Sequence, residues 1–559
     1  MQMKNRKIHN FIVQGSLLAA AGIVCRLIGM LYRLPLIDII GTKGNGYYTS
    51  AYSIYNILLI ISSYSLPTAM SRIVSERLAG ERYEDVRRSL RVAFLYSTVI
   101  GALMFAVMFF GAQRIADFMN KPFLSYVLVT LAPTVWIMAY LGILRGYFQG
   151  TGNMMPTGVS QILEQVVNAI VSIVMAKLLF SYGETLVQAG GSEELKYAYG
   201  AAGGTIGTGA GALIALLFFL LIYFLYGREI ISGEPEDTVT APRVPESYKS
   251  VTKALLLTLL PILFSSFVYN ANTVIDDFIF SRLMTYLGYG TSIVLLWGIF
   301  GEYRILFNIP MAIANSMSSS VLPSLTAAAA RNDRELVMKK TRLGISFTIM
   351  IAVPACVGMI FLAEPICAFL FPSEQSGILI NVIRLGAPAV VVCSVSTITN
   401  AILQGIGQLN KPLVHSAIGL LLHILLLIVL LFIWPGIYSV VIAHFAFGLF
   451  VCILNHSAIN KYVGKGTEEI RSYIKPLAAS LIMGATAYGI YRLLFRILPA
   501  GLTANRFGVG LMLVVCIGAG LFIYLFALFL MKPYTKEELR EMPMGRRLYR
   551  LARKMGLMS

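Results

Sequence analysis

The stretch Gly22-Ile-Val-Cys-Arg-Leu-Ile-Gly-Met-Leu-Tyr-Arg-Leu-Pro35 places two arginines, Arg26 and Arg33, inside the first long apolar segment of the chain. A guanidinium stays charged at every accessible pH, and a charge at the centre of a membrane helix costs at least about 3 kcal/mol. A separation of seven residues puts both arginines on one helical face. Two interpretations are open. The arginines either extend to the interfaces or pair with acids on other helices, or they line a wet cavity and bind an anion.

The composition excludes a soluble globular protein. Hydrophobic residues make up 57% and charged residues 13% of the chain, whereas soluble domains carry about 25% charged residues. The net charge of +18 does not indicate nucleic-acid binding, because the basic residues lie in short loops between apolar runs and form no continuous soluble face. The sequence therefore predicts an all-α, polytopic membrane protein.

Fourteen apolar runs are long enough to span a bilayer, which takes roughly 17 to 25 residues. Of the 45 Lys and Arg residues, 32 lie in the N-terminus, in alternate loops and in the tail from Lys532, so the positive-inside rule predicts that both termini are cytoplasmic. The predicted runs are 10–37, 47–71, 90–113, 123–148, 157–181, 199–226, 253–281, 291–321, 342–363, 376–403, 412–433, 437–460, 474–497 and 507–531.

A weak internal repeat divides the chain. The segment Phe148–Pro156, with Gln-Gly-Thr-Gly, and the segment Leu403–Pro412, with Gln-Gly-Ile-Gly, follow the fourth and tenth runs at a shift of about 255 residues. Six runs per repeat predict two six-helix lobes related by an axis along the membrane normal. This architecture is typical of membrane transporters. The predicted divisions are lobes at 1–226 and 253–460, a cytoplasmic linker at 227–252, two further helices at 461–531 and a basic cytoplasmic tail at 532–559.

Three other patterns have structural explanations. The Gln-Gly-x-Gly segments suit tight turns and do not fit a phosphate-binding loop. The glycines of Gly200–Gly211 have small-xxx-small spacing, which predicts close helix packing. The five histidines show no tight metal-ligand spacing, and the six cysteines, all within or beside apolar runs, are expected to be free thiols.

Ionisable residues inside predicted membrane runs are the other candidates for function. Asp276 and Asp277 lie in the seventh run, and Glu302 and Arg304 lie in the eighth. Glu302 and Arg304 either form a structural pair, or Arg304 is a cavity arginine that the neighbouring acid keeps extended. For the two aspartates, one alternative is an ion pair with Arg282 near the end of the same helix.

The segments CRLIGMLYR (25–33), EYRILFNIP (302–310) with LPSL (322–325), and RGYFQGTGNMMPTGVSQILEQVVN (145–168) resemble the MurJ-like lipid II flippases of the MOP superfamily, in the Gram-positive branch that includes stage V sporulation protein B-like proteins. The resemblance covers essentially the whole chain. It implies two six-helix lobes that open alternately to each side of the bacterial cytoplasmic membrane. It also implies that the last two helices form a groove for the lipid tail.

The resemblance also implies binding residues. Arg26, Arg33 and Arg304 match the family's cavity arginines, with Glu302 beside Arg304. A further family arginine in the second helix has no counterpart here, since Tyr52, Tyr55 and Asn56 lie there instead. Arg72, at the cytoplasmic end of the second predicted helix, is expected to substitute in part for that missing arginine. The likeness places a coupling-cation site in the second lobe, for which the candidates are Asp276, Asp277 and His423.

The expected function is translocation of an undecaprenyl-diphosphate-linked glycan, lipid II, by a monomer driven by the membrane potential or by Na⁺ or H⁺. Neither enzymatic activity nor a cofactor is expected, and the partners are membrane lipids but not nucleic acid. Arginine suits this substrate because its planar fork binds phosphate oxygens in pairs. The alternatives are export of another lipid-linked oligosaccharide, or multidrug/cation antiport within the same superfamily. A membrane glycan polymerase is disfavoured by short, acid-poor outer loops.

The tail after Lys532 has a possible amphipathic pattern. Its eight Lys and Arg residues accompany Leu539, Met542, Leu548, Leu551 and Met555. This pattern predicts an interfacial helix on the anionic cytoplasmic leaflet, with a solvated tail as the alternative.

Overall fold

The computed structural model describes residues 21–22, 24–227, 245–373, 376–464, 471–503 and 505–541, and positions 545, 549, 550 and 553 of the tail. Within these residues the protein is helical and contains no β-strand, so the all-α prediction is confirmed. The helices are α1 (Arg33–Leu59), α2 (Leu66–Ala79), α3 (Tyr83–Phe110), α4 (Ala112–Phe118), α5 (Leu124–Gly150), α6 (Met155–Gln188), α7 (Glu194–Ile222), α8 (Tyr248–Asn270), α9 (Asn272–Tyr286), α10 (Ile293–Ala330), α11 (Arg334–Phe361), α12 (Ala363–Leu370), α13 (Ser376–Gly405), α14 (Asn410–Ile433), α15 (Ile437–Tyr462), α16 (Arg471–Ile497), α17 (Ala500–Thr503), α18 (Arg506–Met531) and α19 (Lys536–Glu541).

Within the described residues, each of the fourteen predicted membrane runs coincides with helix. In the described part of the chain, 12 helices are long and apolar enough to cross a membrane. One of them, Val24–Ala79, contains residues 24–37 of the first predicted run and all of the second, and it breaks at Gly41, whose φ of 67° is not helical. The seventh predicted run corresponds to α8 and α9, which meet at Ala271.

The chain divides into two compact units. The first comprises the described residues up to Thr285 together with Gly290–Gly298, and the second comprises Tyr286–Tyr289 and the described residues from Ile299 onward. The sequence analysis began the second lobe at residue 253, whereas α8 and nearly all of α9 belong to the first unit because α8 packs on α2 and α3. That the two lobes move relative to each other stays a prediction.

The order of elements repeats at the predicted shift. The run α3–α4–α5, a long helix, a short helix and a long helix, recurs as α11–α12–α13. Pro133 lies inside α5 and Pro388 lies inside α13. The Gln-Gly-x-Gly segments end these two helices in the same way, with Gly152 at φ 84° and Gly407 at φ 83°. Glycine is required there because other residues rarely adopt positive φ.

The glycines of α7 lie against α6. A Cβ added to Gly207 would come within 2.2 Å of the Ser172 Oγ, and one on Gly211 would come within 2.4 Å of the Glu164 carbonyl oxygen. The Ser172 hydroxyl in turn donates to the Gly204 carbonyl at 2.7 Å. The predicted close packing through small residues is therefore present, and it brings the polar side chains of α6 against the α7 backbone.

Gly207→Ala is expected to lower the free energy of unfolding by about 1–3 kcal/mol, because the methyl group would overpack this contact. The measurement is the thermal unfolding midpoint of the purified protein in detergent. Gly518→Ala is the control, because a Cβ there has nothing within 4 Å, and alanine gains up to about 1 kcal/mol in helix propensity. Equal midpoints for the two variants would contradict the packing argument.

The second unit buries the beginning of the tail. The Tyr534 hydroxyl donates to the Ser346 carbonyl at 3.2 Å, and Leu539, on α19, is 1% exposed within the unit's hydrophobic core. Leu539 therefore faces protein, so its assignment to a lipid-facing surface was wrong. Met542, Leu548, Leu551 and Met555 lie outside the described residues. The interfacial helix stays a prediction for that part of the tail. All six cysteines are free thiols, as predicted.

Candidate functional site

Arg33 lies at the start of α1, and the break at Gly41 determines its surroundings. Along a straight helix Asn45 would lie about 18 Å further on, at 1.5 Å per residue. Because the chain turns at Gly41, the Arg33 Nη2 instead donates to the Asn45 Oδ1 at 3.3 Å, and the guanidinium carbon lies 4.4 Å from the centre of the Tyr48 ring. The first predicted span therefore packs on the second through its arginine.

Arg33 has a hydrogen-bond donor that no described residue accepts. Its side chain is half-buried, and its Nε is buried with no hydrogen-bond partner among the described residues. The orienting residue Asn45 is itself fixed, because its Nδ2 donates to the Gly298 carbonyl at 2.9 Å. A guanidinium that is held in position with unused N–H groups is suited to bind a planar oxyanion.

A row of tyrosines continues from the Arg33 contact along α1. The Tyr48 ring stacks on Tyr52 with centroids 4.5 Å apart, and Tyr52 meets Tyr55 edge-on at 5.6 Å. The Tyr32 and Tyr48 hydroxyls lie 3.1 Å apart, and Asn168 of α6 donates to the Tyr32 hydroxyl at 3.4 Å. Residues 48, 52 and 55 share a helix face, so the row belongs to the packing that holds Arg33.

The other predicted binding residues of the first unit are placed differently. Tyr55 is 3% exposed and is mostly a packing residue, whereas Asn56 is half-buried and accepts a bond from the Tyr64 hydroxyl at 3.4 Å. Arg26 and Arg72 are exposed in the isolated chain. Their binding roles stay predictions.

The predicted residues of α10 lie in the second unit. Arg304 is half-buried and Glu302 is 1% exposed, while between them Tyr303 donates its hydroxyl to the Gly386 carbonyl at 2.8 Å. Arg304 lies near His444, whose ring contacts Phe307 edge-on at 5.2 Å. The Tyr303 bond to α13 therefore fixes the register of the turn that carries Arg304.

The coupling candidates separate between the two units. Asp276 and Asp277 are buried in the first unit. His423 is buried in the second, where its Nδ1 lies 2.8 Å from the Ala443 carbonyl oxygen. Because a carbonyl only accepts, this contact assigns the proton to Nδ1. A pocket shared by the aspartates and His423 stays a prediction.

Asp277 has an ion-pair partner that the sequence analysis missed. Its Oδ1 pairs with Lys121, in the loop between α4 and α5, and both side chains are fully buried. Lys121 also donates to the Ser50 Oγ at 2.7 Å and lies 5.2 Å from the Trp297 ring centre. Burial lowers the pKa of Lys121, and Asp277 opposes that shift. Arg282, the partner considered from sequence, instead donates to Asn120 at 3.4 Å.

A second missed residue is Arg77, at the end of α2. It is 4% exposed, donates to the Ser89 hydroxyl, and pairs with Glu246 at 2.9 Å. Glu246 also pairs with Arg82 at 2.7 Å, so it joins α2 to the segment that leads into α8. No sequence signal distinguishes Arg77 from the other arginines of this charged segment.

A family model described as polysaccharide biosynthesis protein matches residues 13–328, which is more than half of the chain. The chain belongs to the polysaccharide biosynthesis protein family. A second model, MatE, matches residues 261–429.

Three relatives come from Bacillus subtilis (strain 168). The uncharacterized membrane protein YabM is 23% identical over 548 residues, covering 98% of this chain and 97% of that protein. Stage V sporulation protein B is 25% identical over 539 residues, covering 95% and 97%. Lipid II flippase MurJ is 24% identical over 416 residues, covering 72% and 74%.

Solved structures of similar fold are membrane transporters. The lipid II flippase MurJ in an inward closed conformation matches with a TM-score of 0.65 at 17% identity, covering 92% of this chain and 98% of that chain. An inward-facing MATE family multidrug resistance transporter of the MOP superfamily matches with a TM-score of 0.60 at 16% identity, covering 78% and 99%. The resemblance to MurJ-like flippases is confirmed, and the chain is a multi-pass membrane protein with a transporter fold.

Proposed function

We propose that this protein translocates lipid II, an undecaprenyl-diphosphate-linked peptidoglycan precursor, across the bacterial cytoplasmic membrane by alternating access. The observation that carries the proposal is Arg33, a half-buried guanidinium oriented by Asn45 and Tyr48 with its Nε free of partners in the described structure. Arg26 and Arg304 are the further phosphate ligands in this proposal. The similarity to proteins named lipid II flippase MurJ supports the choice of substrate.

The chemistry required is binding and movement without bond cleavage. The polar head of a lipid-linked glycan is too large and too charged to cross hydrocarbon unaided, and arginine forks match the oxygens of its diphosphate. The energy comes from the membrane potential or from a Na⁺ or H⁺ gradient in this proposal. One charge moving through 100 mV supplies about 2.3 kcal/mol, which shifts a two-state equilibrium by tens of fold.

Reconstitution tests the proposal. The purified protein in proteoliposomes is expected to move dye-labelled lipid II between leaflets, measured as dye that becomes protected from an impermeant quencher. An imposed membrane potential or ion gradient is expected to accelerate this movement. Complementation of a flippase-depleted bacterium provides the matching test in cells.

The outcomes separate the alternatives. Movement of another polyprenyl-diphosphate glycan in preference to lipid II would assign the protein to export of that glycan. Efflux of cationic dyes without movement of any lipid-linked glycan would contradict the proposal in favour of multidrug antiport. Cationic substrates are disfavoured because Arg33 and Arg304 would repel them.

A further inference from the structure

The helices α5 and α6 carry an ion pair that none of the predicted site residues includes. The Arg145 Nη2 lies 2.7 Å from the Glu164 Oε2, and the side chains are 11% and 14% exposed. Arg145 lies within α5 (Leu124–Gly150) and inside the predicted run 123–148, but the sequence analysis did not single it out. An arginine and a glutamate that are nearly buried between apolar helices need a partner or a function, because isolated charges there are costly.

Two acceptors hold the Arg145 guanidinium from one side. Its Nη2 donates to Glu164, and both its Nη2 and its Nε approach the Ser160 Oγ, at 3.3 Å and 3.4 Å. The Ser160 hydroxyl itself donates to the Thr157 carbonyl at 2.8 Å, so it is free to accept from the arginine. The Arg145 Nη1 makes no hydrogen bond with the described residues. An arginine has five N–H donors, so the guanidinium is oriented while part of its donor set is unused.

The pair lies beside the first predicted span. Cys25, adjacent to Arg26, lies near both Glu164 and Arg145. The neighbouring Gln165 also reaches this span, because its Oε1 would lie 3.4 Å from a Cβ on Gly29. The turn of α6 that carries Glu164 therefore packs on the helix that carries the predicted phosphate ligands.

The same pair lies near the C-terminal end of α1, where Tyr55 and Asn56 lie. Glu164 also lies near Tyr55 and near Tyr64, which is 50% exposed. The Tyr64 hydroxyl donates to Asn56. The turn of α6 that carries Glu164 therefore also lies beside an accessible tyrosine of the first unit.

We propose that Arg145 is a further substrate-binding residue, which donates through Nη1 to a phosphate oxygen of a polyprenyl diphosphate while Glu164 and Ser160 hold its orientation. This inference rests on the proposed function, and it identifies the diphosphate as the group that the first unit recognises. Glu164 is a positioning residue because it acts through the arginine. The competing explanation is a structural tie between α5 and α6.

The test measures binding of polyprenyl diphosphate and of neutral polyprenol to the full chain in lipid nanodiscs. Arg145→Lys keeps a positive charge beside Glu164 but loses the fork, so its affinity for the diphosphate is expected to fall about tenfold while its affinity for polyprenol stays unchanged. Glu164→Gln retains a hydrogen-bond acceptor but loosens the arginine, so a smaller fall is expected, again only for the diphosphate. A structural tie predicts equal effects on both lipids.

The charge-swapped double variant Arg145→Glu/Glu164→Arg gives the second arm. It restores an ion pair between α5 and α6, so a structural tie predicts recovery of diphosphate binding, whereas the proposal predicts continued loss with normal folding by size-exclusion chromatography. The same swap at Arg384 and Glu364, a pair 2.8 Å apart in the second unit, is the control and is expected to bind like the unmodified protein.

Three outcomes decide the matter. Selective loss of diphosphate binding in Arg145→Lys and in the swapped variant supports the proposal. Diphosphate binding like the unmodified protein in either variant, or equal losses for diphosphate and polyprenol, overturns it, while movement of lipid II by the unmodified protein leaves the proposed function intact. Failure of the unmodified protein to bind polyprenyl diphosphate at all would contradict the proposed function itself.

Discussion

Arg33→Lys is expected to reduce lipid II transport at least tenfold without loss of folded protein. Lysine keeps the charge but cannot bond Asn45 and a phosphate oxygen through one rigid plane, and it contacts the Tyr48 ring less extensively. One lost charge-assisted hydrogen bond is worth about 1.5–3 kcal/mol, and about 1.4 kcal/mol corresponds to a factor of ten. The measurement is the initial rate of quencher protection of labelled lipid II in proteoliposomes.

Arg282 offers a closely matched control in the same unit. Its Nη1 donates to the Asn120 Oδ1 at 3.4 Å, and its guanidinium carbon lies 4.9 Å from the centre of the Phe118 ring. These contacts resemble those of Arg33, but the residue is exposed and lies outside the predicted binding site. Arg282→Lys is therefore expected to transport normally. Equal losses in both variants would indicate a general effect of lysine on such contacts and would contradict a phosphate-binding role for Arg33.

The sequence was sufficient for features that depend on local pattern. Helix positions follow from runs of apolar residues, and the tight packing of α7 follows from glycine spacing, because both are properties of neighbouring positions. The Gln-Gly-x-Gly turns at Gly152 and Gly407 were predictable for the same reason. The presence of Arg33 in an apolar span marked it as a candidate from sequence alone.

The partners of the charged residues were not predictable in this way. The contact of Arg33 with Asn45 and Tyr48 depends on a break at Gly41, and nothing nearby in sequence distinguishes Gly41 from a glycine that continues a helix. Lys121 and Arg145 were not among the residues that the sequence analysis singled out. Their acidic partners lie 156 and 19 residues away, so only the folded chain reveals that both are buried or half-buried in ion pairs.

The Lys121–Asp277 pair is expected to be the most sensitive polar contact in the first unit. Lys121→Met leaves the Asp277 carboxylate buried without its cation, so we expect the free energy of unfolding to fall by about 3–5 kcal/mol. The companion change Asp277→Leu, which leaves Lys121 unpaired beside Trp297 and Ser50, is expected to destabilise the protein by a similar amount. The measurement is the thermal unfolding midpoint in detergent.

The double variant Lys121→Met/Asp277→Leu distinguishes an ion pair from a packing defect. It removes both charges and keeps the apolar volume, so it is expected to recover most of the lost stability, since well-packed hydrophobic replacements of buried pairs are often neutral. Arg384→Met is the control, because Arg384 and Glu364 are about 40% exposed and such pairs are worth up to about 1 kcal/mol. If the double variant were as unstable as the sum of the single changes, the two side chains would contribute independently. The buried ion pair would then not be what holds the α4–α5 loop against α9.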